Sequence, residues 1–251
     1  MGFEQELSLA IEAARKAGSL LRQRSAIEVY SQAGRDIKIS SDRKSEAVIL
    51  ECLAQTGYPI LSEETGPVSG SGELYWIVDP LDGTLNYWRG MRELACTSVA
   101  LWDQAGPVLG VIYRFETDEL YTGVVGQGAS CNGEPIHPSQ VGKLCNGVVG
   151  TGFPTLGDFT EESIIRRMKQ LLRFKKIRLL GTAALSGAFV AQGKLDVYME
   201  EKIMLWDIAA SAAIVLASGG IVEIERMDEY KCLCRYFANR QLQEDFHAEI
   251  V

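Results

Sequence analysis

The chain has 251 residues, and its 25 Lys and Arg residues against 33 Asp and Glu residues give a formal net charge of -8. This length suits one large domain or two closely packed halves, and the negative charge disfavours nucleic acids and acidic membrane surfaces as partners. The sequence shows neither an early apolar leader nor an apolar run of roughly 20 residues, so we expect a cytoplasmic protein without a membrane partner.

Cysteine and histidine are poor candidates for carrying the chemistry. The six cysteines include one close pair, Cys232 and Cys234, but no paired Cys-x-x-Cys hooks, which disfavours a zinc site. We therefore expect reduced, mostly buried thiols. The two histidines, His137 and His247, stand apart from acidic or nucleophilic motifs, which disfavours histidine catalysis.

The N-terminal segment predicts a helical scaffold. Apolar residues recur at helical spacing over residues 3–22, and a second helical pattern follows Asp42 as far as Leu53. Between these helices, residues 28–30 have strand character and residues 34–36 favour a turn. Because Asp42 follows two serines where the second helix begins, we interpret its carboxylate as an N-cap.

Two adjacent carboxylates, Glu63 and Glu64, follow a short apolar strand at residues 58–61. Adjacent side chains on a strand point to opposite faces, so only one of the pair can enter a given site. An isolated acidic pair is more typical of a solvated loop. The carboxylates of the next motif favour a site instead.

Residues 74–86 carry the strongest chemical signal. A strand at residues 74–78 runs into Asp79-Pro80-Leu81-Asp82-Gly83-Thr84, and Pro80 cannot donate to a sheet, so the strand is predicted to end there. Two carboxylates thus lie on the exit turn, and the backbone N–H groups of Gly83 and Thr84 form a seat for an anion. Carboxylates beside an anion seat imply a cation between them.

The remainder predicts two kinds of architecture. Apolar runs at residues 97–102, 107–115 and 119–125, separated by short turns, predict antiparallel hairpins. After a soft boundary at residues 139–145, strand and helix patterns alternate, as in an α/β unit. We divide the chain into an α+β half at residues 1–140 and an α/β half at residues 141–251, packed as a single compact unit.

Within the second half, two helix starts attract attention. Gly181, Thr182 and Ala183 follow a basic strand at residues 175–180 and open a helix whose free N–H groups suit oxygen-rich ligands. Asp207 follows Trp206 at the start of an alanine-rich helix that ends at Gly219, and by itself it reads as an N-cap. A helix at residues 161–173, strands at residues 221–225 and 236–239, and a helix at residues 242–250 complete the prediction.

Three motifs in this order resemble the inositol monophosphatase family, within the magnesium-dependent, lithium-sensitive sugar-phosphatase superfamily. They are LSEET at residues 61–65, WIVDPLDGTLN at residues 76–86 and LWDIAA at residues 205–210. The resemblance runs from about the first helix to the last. It implies a layered αβαβα sandwich of mixed α+β and α/β character, and a phosphomonoester hydrolase.

The resemblance also implies a metal centre. It assigns two or three Mg²⁺ ions to Glu63, Asp79, Asp82, Asp207 and the backbone carbonyl of Leu81, so the first half of the chain supplies most of the ligands. Charge supports this, because at ~5 Å and an effective dielectric constant of ~20 each pair of like unit charges repels by roughly 3 kcal/mol. Without a cation such a pocket would reject a phosphate dianion, and Mg²⁺ prefers these hard oxygen ligands.

Catalytic and substrate-binding roles follow from the same resemblance. Direct attack by a metal-activated water is implied, with Glu63, Thr84 and Asp42 as catalytic residues and Thr84 hydrogen-bonded towards Asp42. Lys38 is the nearest match to a lysine that many animal relatives carry near the active site. The implied substrate contacts are Asp82, Gly83, Thr84, Gly181, Thr182, Ala183, Glu200 and Arg178, the last resembling a cation that meets a second phosphate in archaeal relatives.

Several substrates remain open at this stage. Inositol monophosphate or a similar small sugar phosphate is the first choice, and fructose 1,6-bisphosphate, 3'(2'),5'-bisphosphate nucleotides and histidinol phosphate are alternatives on the same scaffold. A regulatory protein that uses this fold to bind a partner is an alternative of another class. The resemblance also implies a homodimer.

Overall fold

The computed structural model describes residues 2–23, 27–33, 36–153 and 159–250. The predicted turn at residues 34–36 begins outside these ranges. The helices are α1 (Glu4–Arg22), α2 (Ser40–Leu53), α3 (Thr84–Trp88), α4 (Glu161–Leu171), α5 (Ala183–Ala191), α6 (Leu205–Ser218) and α7 (Arg240–Ile250). The strands are β1 (Val29–Ala33), β2 (Asp36–Ile39), β3 (Ile60–Ser62), β4 (Gly66–Val68), β5 (Tyr75–Asp82), β6 (Cys96–Asp103), β7 (Gly106–Arg114), β8 (Glu119–Val124), β9 (Gly128–Cys131), β10 (Glu134–Pro135), β11 (Val148–Thr151), β12 (Lys176–Arg178), β13 (Val197–Met204), β14 (Ile221–Arg226) and β15 (Lys231–Phe237).

Two sheets dominate the molecule. The larger has eight strands in the order β10-β9-β8-β7-β6-β5-β3-β4, in which the β3–β5 pair is parallel and the neighbouring pairs are antiparallel. The smaller has the order β12-β11-β13-β15-β14, with β11 parallel to both of its neighbours. The antiparallel β6–β7–β8 pairing confirms the predicted hairpins.

Helices and sheets alternate in five layers. Helices α1 and α2 pack on one face of the large sheet, and α5 and α6 lie between the two sheets. Helix α7 and the C-terminal end of α4 cover the outer face of the small sheet. This arrangement confirms the expected layered αβαβα sandwich.

The central helix layer lies very close to the large sheet. A Cβ atom on Gly110 would lie 2.1 Å from the carbonyl oxygen of Ala210, so only glycine allows α6 to approach β7 this closely. The Trp102 indole N–H donates to the carbonyl of Ala209 at 3.1 Å. These contacts fix the position of α6, whose first turn borders the candidate site.

Strand ends differ from the prediction in two places. Strand β5 does not end before Pro80 but continues to Asp82, and its pairing with β6 shifts between Asp79 and Asp82. The irregularity accommodates a proline that has no N–H to donate. The last strand occupies Lys231–Phe237, earlier than the predicted residues 236–239, and includes Cys232.

The structure confirms the expected thiols in part. All six cysteines are free, and Cys52, Cys96, Cys232 and Cys234 are buried, whereas Cys145 is exposed. Among the described residues, no helix is both long and apolar enough to cross a bilayer.

Candidate active site

A cavity of about 520 Å³ opens where the two halves of the chain meet. Its wall combines the turn after β3, the start of α3, the start of α5 and the junction between β13 and α6. The lining residues include Ile37, Lys38, Glu63, Asp82, Gly83, Thr84, Thr151, Gly181, Thr182, Ala183, Tyr198, Glu200, Lys202, Met204, Trp206 and Asp207. Most of the residues predicted for the site therefore lie around one space.

Strand β5 carries Asp82, which lines this cavity, and Asp79, which does not line it but hydrogen-bonds the lining residue Glu63. Asp79 is 1% exposed, and its Oδ1 accepts a hydrogen bond from the backbone N–H of Leu81 at 3.0 Å. The Ser45 hydroxyl donates to the carbonyl of Pro80 at 2.7 Å, which holds the irregular segment from the side of α2. The local geometry of this motif is thus fixed by backbone contacts.

Asp82 joins the two halves of the site. Its Oδ2 accepts hydrogen bonds from the backbone N–H of Ala184, at 2.8 Å, and from the hydroxyl of Thr182. Thr182 is itself the N-cap of α5 and accepts from the N–H of Leu185 at 3.3 Å. The predicted substrate-binding segment at residues 181–183 therefore lies directly beside a predicted metal ligand.

Glu63 and Glu64 point in different directions. The backbone N–H of Glu63 donates to the carbonyl of Val78 at 3.2 Å, and its side chain lines the cavity and hydrogen-bonds Asp79. Glu64 instead accepts from the Nζ of Lys38 at 2.9 Å. Both glutamates lie in the turn after β3 rather than on the strand, yet they diverge as strand alternation predicted.

Glu46 of α2 is a positioning residue that the sequence reading missed. It is 5% exposed, and its two carboxylate oxygens accept from the hydroxyl of Ser62 and from the N–H and hydroxyl of Thr65, at 2.5 to 2.9 Å. These bonds hold both sides of the turn that carries Glu63. The available signal was its place on the apolar stripe of α2, one turn before Ile49.

Asp42 and Asp207 correct two predicted N-caps. Each is the third residue of its helix, not the cap, and each Oδ2 accepts a hydrogen bond from a backbone N–H: that of Ile39 at 2.7 Å and that of Met204 at 3.3 Å. A carboxylate at either position satisfies free N–H groups, so the two cannot be told apart by residue type. The inner position leaves one oxygen of Asp42, Oδ1, 3.5 Å from the hydroxyl of Thr84.

The remaining predicted residues divide into two groups. Glu200 lines the cavity, is 9% exposed and accepts from the hydroxyl of Tyr198 at 2.9 Å. Arg178 is exposed on the edge strand β12, is not among the cavity-lining residues, and donates to the carbonyl of Ile177 at 3.0 Å. Asn86, which we did not predict, donates to the carbonyls of Leu94 and Leu180 at 2.9 and 2.8 Å and so ties α3 to the segment before α5.

Burial makes the carboxylates of this site reluctant to ionise. It raises the pKa of Glu63 to about 8, of Glu200 to about 7 and of Asp82 to about 6. Burial, followed by the charge of Glu63, raises the pKa values of Asp79 and Asp207 well above the usual range. Carboxylates this close together compete for ionisation unless a cation joins them.

The donor set suits a hard divalent cation. It consists of carboxylate oxygens around a single cavity, which matches the preference of Mg²⁺, and it lacks the nitrogen and sulfur ligands that zinc favours. Within the described ranges, however, no three or more acidic, cysteine or histidine side chains are grouped so that they could hold a metal ion in their present positions. This agrees with Glu63 and Asp79 hydrogen-bonding each other.

Comparisons with known proteins relate the whole chain to one family. The model of the inositol monophosphatase family matches residues 3–233. An inositol-1-monophosphatase of Mesorhizobium japonicum is 38% identical over 224 residues, which cover 86% of this chain and 84% of that protein. A protein of Escherichia coli named Nus factor SuhB is 33% identical over 225 residues, with the same two coverages. The crystal structure of extragenic suppressor protein SuhB from Bartonella henselae superposes with a TM-score of 0.85, at 29% identity, and 98% of each chain is covered.

Proposed function

The chain belongs to the inositol monophosphatase family and is a phosphoric monoester hydrolase, and we propose that it releases phosphate from inositol monophosphate or a similar small sugar phosphate with Mg²⁺ as its cofactor. The observation that carries this proposal is that Glu63, Asp82 and Asp207 line one cavity while Asp79 hydrogen-bonds Glu63. These residues come from both halves of the chain. Residues that only cap helices or face solvent would not converge in this way.

The proposed ligands of two or three Mg²⁺ ions are Glu63, Asp79, Asp82 and Asp207, with the backbone carbonyl of Leu81. The raised pKa values support this assignment, because a bound cation would favour the ionised form of each carboxyl group. When bound, Mg²⁺ polarises phosphate oxygens and lowers the pKa of a coordinated water.

Thr84 and Asp42 are proposed to orient the attacking water. The Thr84 hydroxyl lies 2.9 Å from the carbonyl of Leu81 and 3.5 Å from Oδ1 of Asp42. Because Thr84 has a single hydroxyl proton, donation to either acceptor leaves its lone pairs free to accept from a water in the cavity. Glu63 is proposed to assist at the same water, and the N–H groups of Gly83 and Thr84 to hold the phosphate.

The organic part of the substrate is assigned to the second half of the chain. Residues 181–183 and Glu200 line the same cavity as Glu63. A buried carboxylate such as Glu200 can accept hydrogen bonds from hydroxyl groups, which a polyol provides and an apolar ester does not. Arg178 has no place in this assignment, because its guanidinium is exposed at the edge strand.

One second candidate is a regulatory role through a protein partner, and the Escherichia coli relative, which is named a Nus factor, favours it. The carboxylates that the proposed reaction needs are all present here, so such a role would accompany the hydrolase rather than replace it. We further propose a cytoplasmic homodimer that is inhibited by Li⁺ and does not bind nucleic acid.

Release of inorganic phosphate tests the proposed function. We expect hydrolysis of inositol 1-phosphate or of another sugar phosphate in a panel that includes fructose 1,6-bisphosphate, an adenosine 3',5'-bisphosphate and histidinol phosphate. The activity should require Mg²⁺ and fall with Li⁺. Absence of phosphate release from the whole panel in saturating Mg²⁺ would overturn the proposal.

A further inference from the structure

Lys202 has a backbone conformation that is rare for its residue type. Its φ is +61°, and among the described residues the other non-glycine residues with positive φ are Asp118 and Asn132. Aspartate and asparagine tolerate this region because their short polar side chains bond locally, whereas lysine has no such compensation. The conformation of Lys202 therefore results from the structure around it.

The cause is a bulge in the small sheet. Pairing between β13 and β15 shifts register between Glu201 and Ile203, so Lys202 is the extra residue. Bulges next to active sites turn a side chain out of the normal alternation of a strand. Here the result is that Lys202 lines the candidate active site, between Glu200 and the start of α6.

Lys202 also differs from the other lysine of the cavity wall. Lys38 is paired with Glu64 at 2.9 Å, so its charge is already balanced. No carboxylate in the part of the chain that the structure describes lies within ion-pair distance of Lys202. Lys202 is half-buried and lines the cavity, so among the described residues it brings a positive charge there that no carboxylate balances.

The distribution of charge indicates what this lysine would bind. Glu63, Asp82 and Asp207 form the acidic part of the cavity, where cations and the scissile phosphate are proposed to sit. Lys202 lines the same cavity but belongs to the bulge of β13, so a second anionic group on the substrate would find a positive charge there. Arg178, which the sequence had associated with a second phosphate, is exposed at a sheet edge instead.

We propose that Lys202 is a specificity-determining residue that binds a second anionic group of the substrate, a phosphate or a carboxylate distant from the scissile phosphate. The proposal rests on the proposed phosphatase function and narrows its substrate class to anionic phosphomonoesters.

Three esters of one sugar ring test it. Glucose 1-phosphate, glucose 1,6-bisphosphate and glucuronic acid 1-phosphate differ only at carbon 6, which bears a hydroxyl, a phosphate or a carboxylate. The native protein with Mg²⁺ should show a higher kcat/KM at the 1-position for one or both anionic esters than for glucose 1-phosphate. The better of the two identifies the preferred group.

Two variants separate charge from backbone. Lys202→Asn keeps a residue that tolerates positive φ but removes the cation, and it should lower the ratio of kcat/KM between the anionic ester and glucose 1-phosphate about tenfold, the effect of one charge-assisted hydrogen bond. Lys202→Arg should keep most of the ratio. Lys169→Asn, on the exposed surface of α4, should leave it unchanged.

A ratio that stays the same in Lys202→Asn, or that is already one in the native protein, overturns the proposal while the phosphatase stands. If the native protein hydrolyses none of these three esters, thermal shifts with the same three esters decide the role of Lys202, whereas the phosphatase proposal is decided separately by the panel that includes inositol 1-phosphate. A larger shift with the anionic esters that is lost in Lys202→Asn supports the role. Equal shifts overturn it.

Discussion

The carboxylate cavity and the central helix layer meet in α6 and follow opposite physical rules. In the cavity, burial raises the pKa values of Glu63 and Asp207, so folding places these carboxyl groups where their ionised form is disfavoured. In the layer, α6 buries small apolar residues such as Ala209 and Ala212 completely, close to a sheet that opens space with Gly110. The first turn of α6 lines the cavity, and the following turns pack in the helix layer and hold the helix in place. Stability and function should therefore respond separately to substitution.

The largest expected effect belongs to Asp79→Asn. The amide keeps the shape of the side chain and an acceptor for the N–H of Leu81, but it removes a proposed metal ligand. We expect turnover to fall by roughly a thousandfold or more. The melting temperature of the metal-free variant should equal or exceed that of the native protein, because the amide is neutral at every pH, whereas the buried carboxyl group that it replaces resists ionisation. Phosphate release and thermal unfolding measure the two effects.

Asp103→Asn is a matched control for Asp79→Asn, because Asp103 lies at the far end of β6 and does not line the cavity. It should leave turnover within about twofold of the native value. Substantial activity of Asp79→Asn in saturating Mg²⁺ would contradict the role of Asp79 as a metal ligand. A large loss of stability would show that Asp79 supports the fold.

Gly110→Ala should destabilise the central helix layer. Its new methyl group would lie 2.1 Å from the carbonyl oxygen of Ala210, and backbone at this position cannot yield without moving α6. We expect the free energy of unfolding to fall by about 3 kcal/mol, measured by urea denaturation. The control is Gly126→Ala, which meets open space and should cost about 1 kcal/mol for its positive φ. Equal losses in the two variants would contradict the close packing.

Elements with local signals could be predicted from the sequence. The β6–β7–β8 hairpins follow from alternating apolar runs and short turns, and α6 ends at Gly219, which adopts a positive φ of 96°. The divergence of Glu63 from Glu64 was also predictable. The five layers were expected from the family resemblance, which three sequence motifs carry together.

Features that depend on distant contacts could not be predicted. The Asn86 side chain donates to the carbonyls of Leu94 and Leu180, and the sequence around Asn86 gives no signal of the contact with Leu180. The bulge that turns Lys202 towards the cavity exists only because β13 pairs with β15. Asp42 and Asp207 were misplaced by a few residues because cap and first-turn carboxylates satisfy similar N–H groups.

Glu46→Ala should affect both regions moderately. It leaves the hydroxyls of Ser62 and Thr65 without their shared acceptor, which should cost about 2 kcal/mol of stability. The turn that carries Glu63 should loosen as well, so we expect a higher Mg²⁺ requirement for activity. Glu51→Ala, on the exposed face of the same helix, is the control and should change neither. An unchanged Mg²⁺ requirement in Glu46→Ala would show that the hydrogen bonds of Glu46 do not position Glu63 for metal binding.

The smallest expected effect is a pH dependence that Mg²⁺ should cancel. A carboxyl group whose folded pKa is raised binds its proton more tightly in the folded state, so stability is highest below the unfolded pKa and is lost as pH rises towards the folded value. Asp42, Glu63 and Glu200, with folded pKa values of about 7, 8 and 7, place that loss between about pH 4 and pH 8, so part of it falls above pH 6.

The melting temperature of the metal-free protein should therefore fall by about 3 °C or more from pH 6 to pH 8.5. Saturating Mg²⁺ should raise it most at pH 8.5, because the ion replaces protons that are no longer bound. Asp79→Asn should show a weaker dependence on both pH and Mg²⁺. A metal-free melting temperature that rises over this range would mean that the cavity carboxylates are already ionised and balanced within the protein, and the contrast between the two regions would disappear.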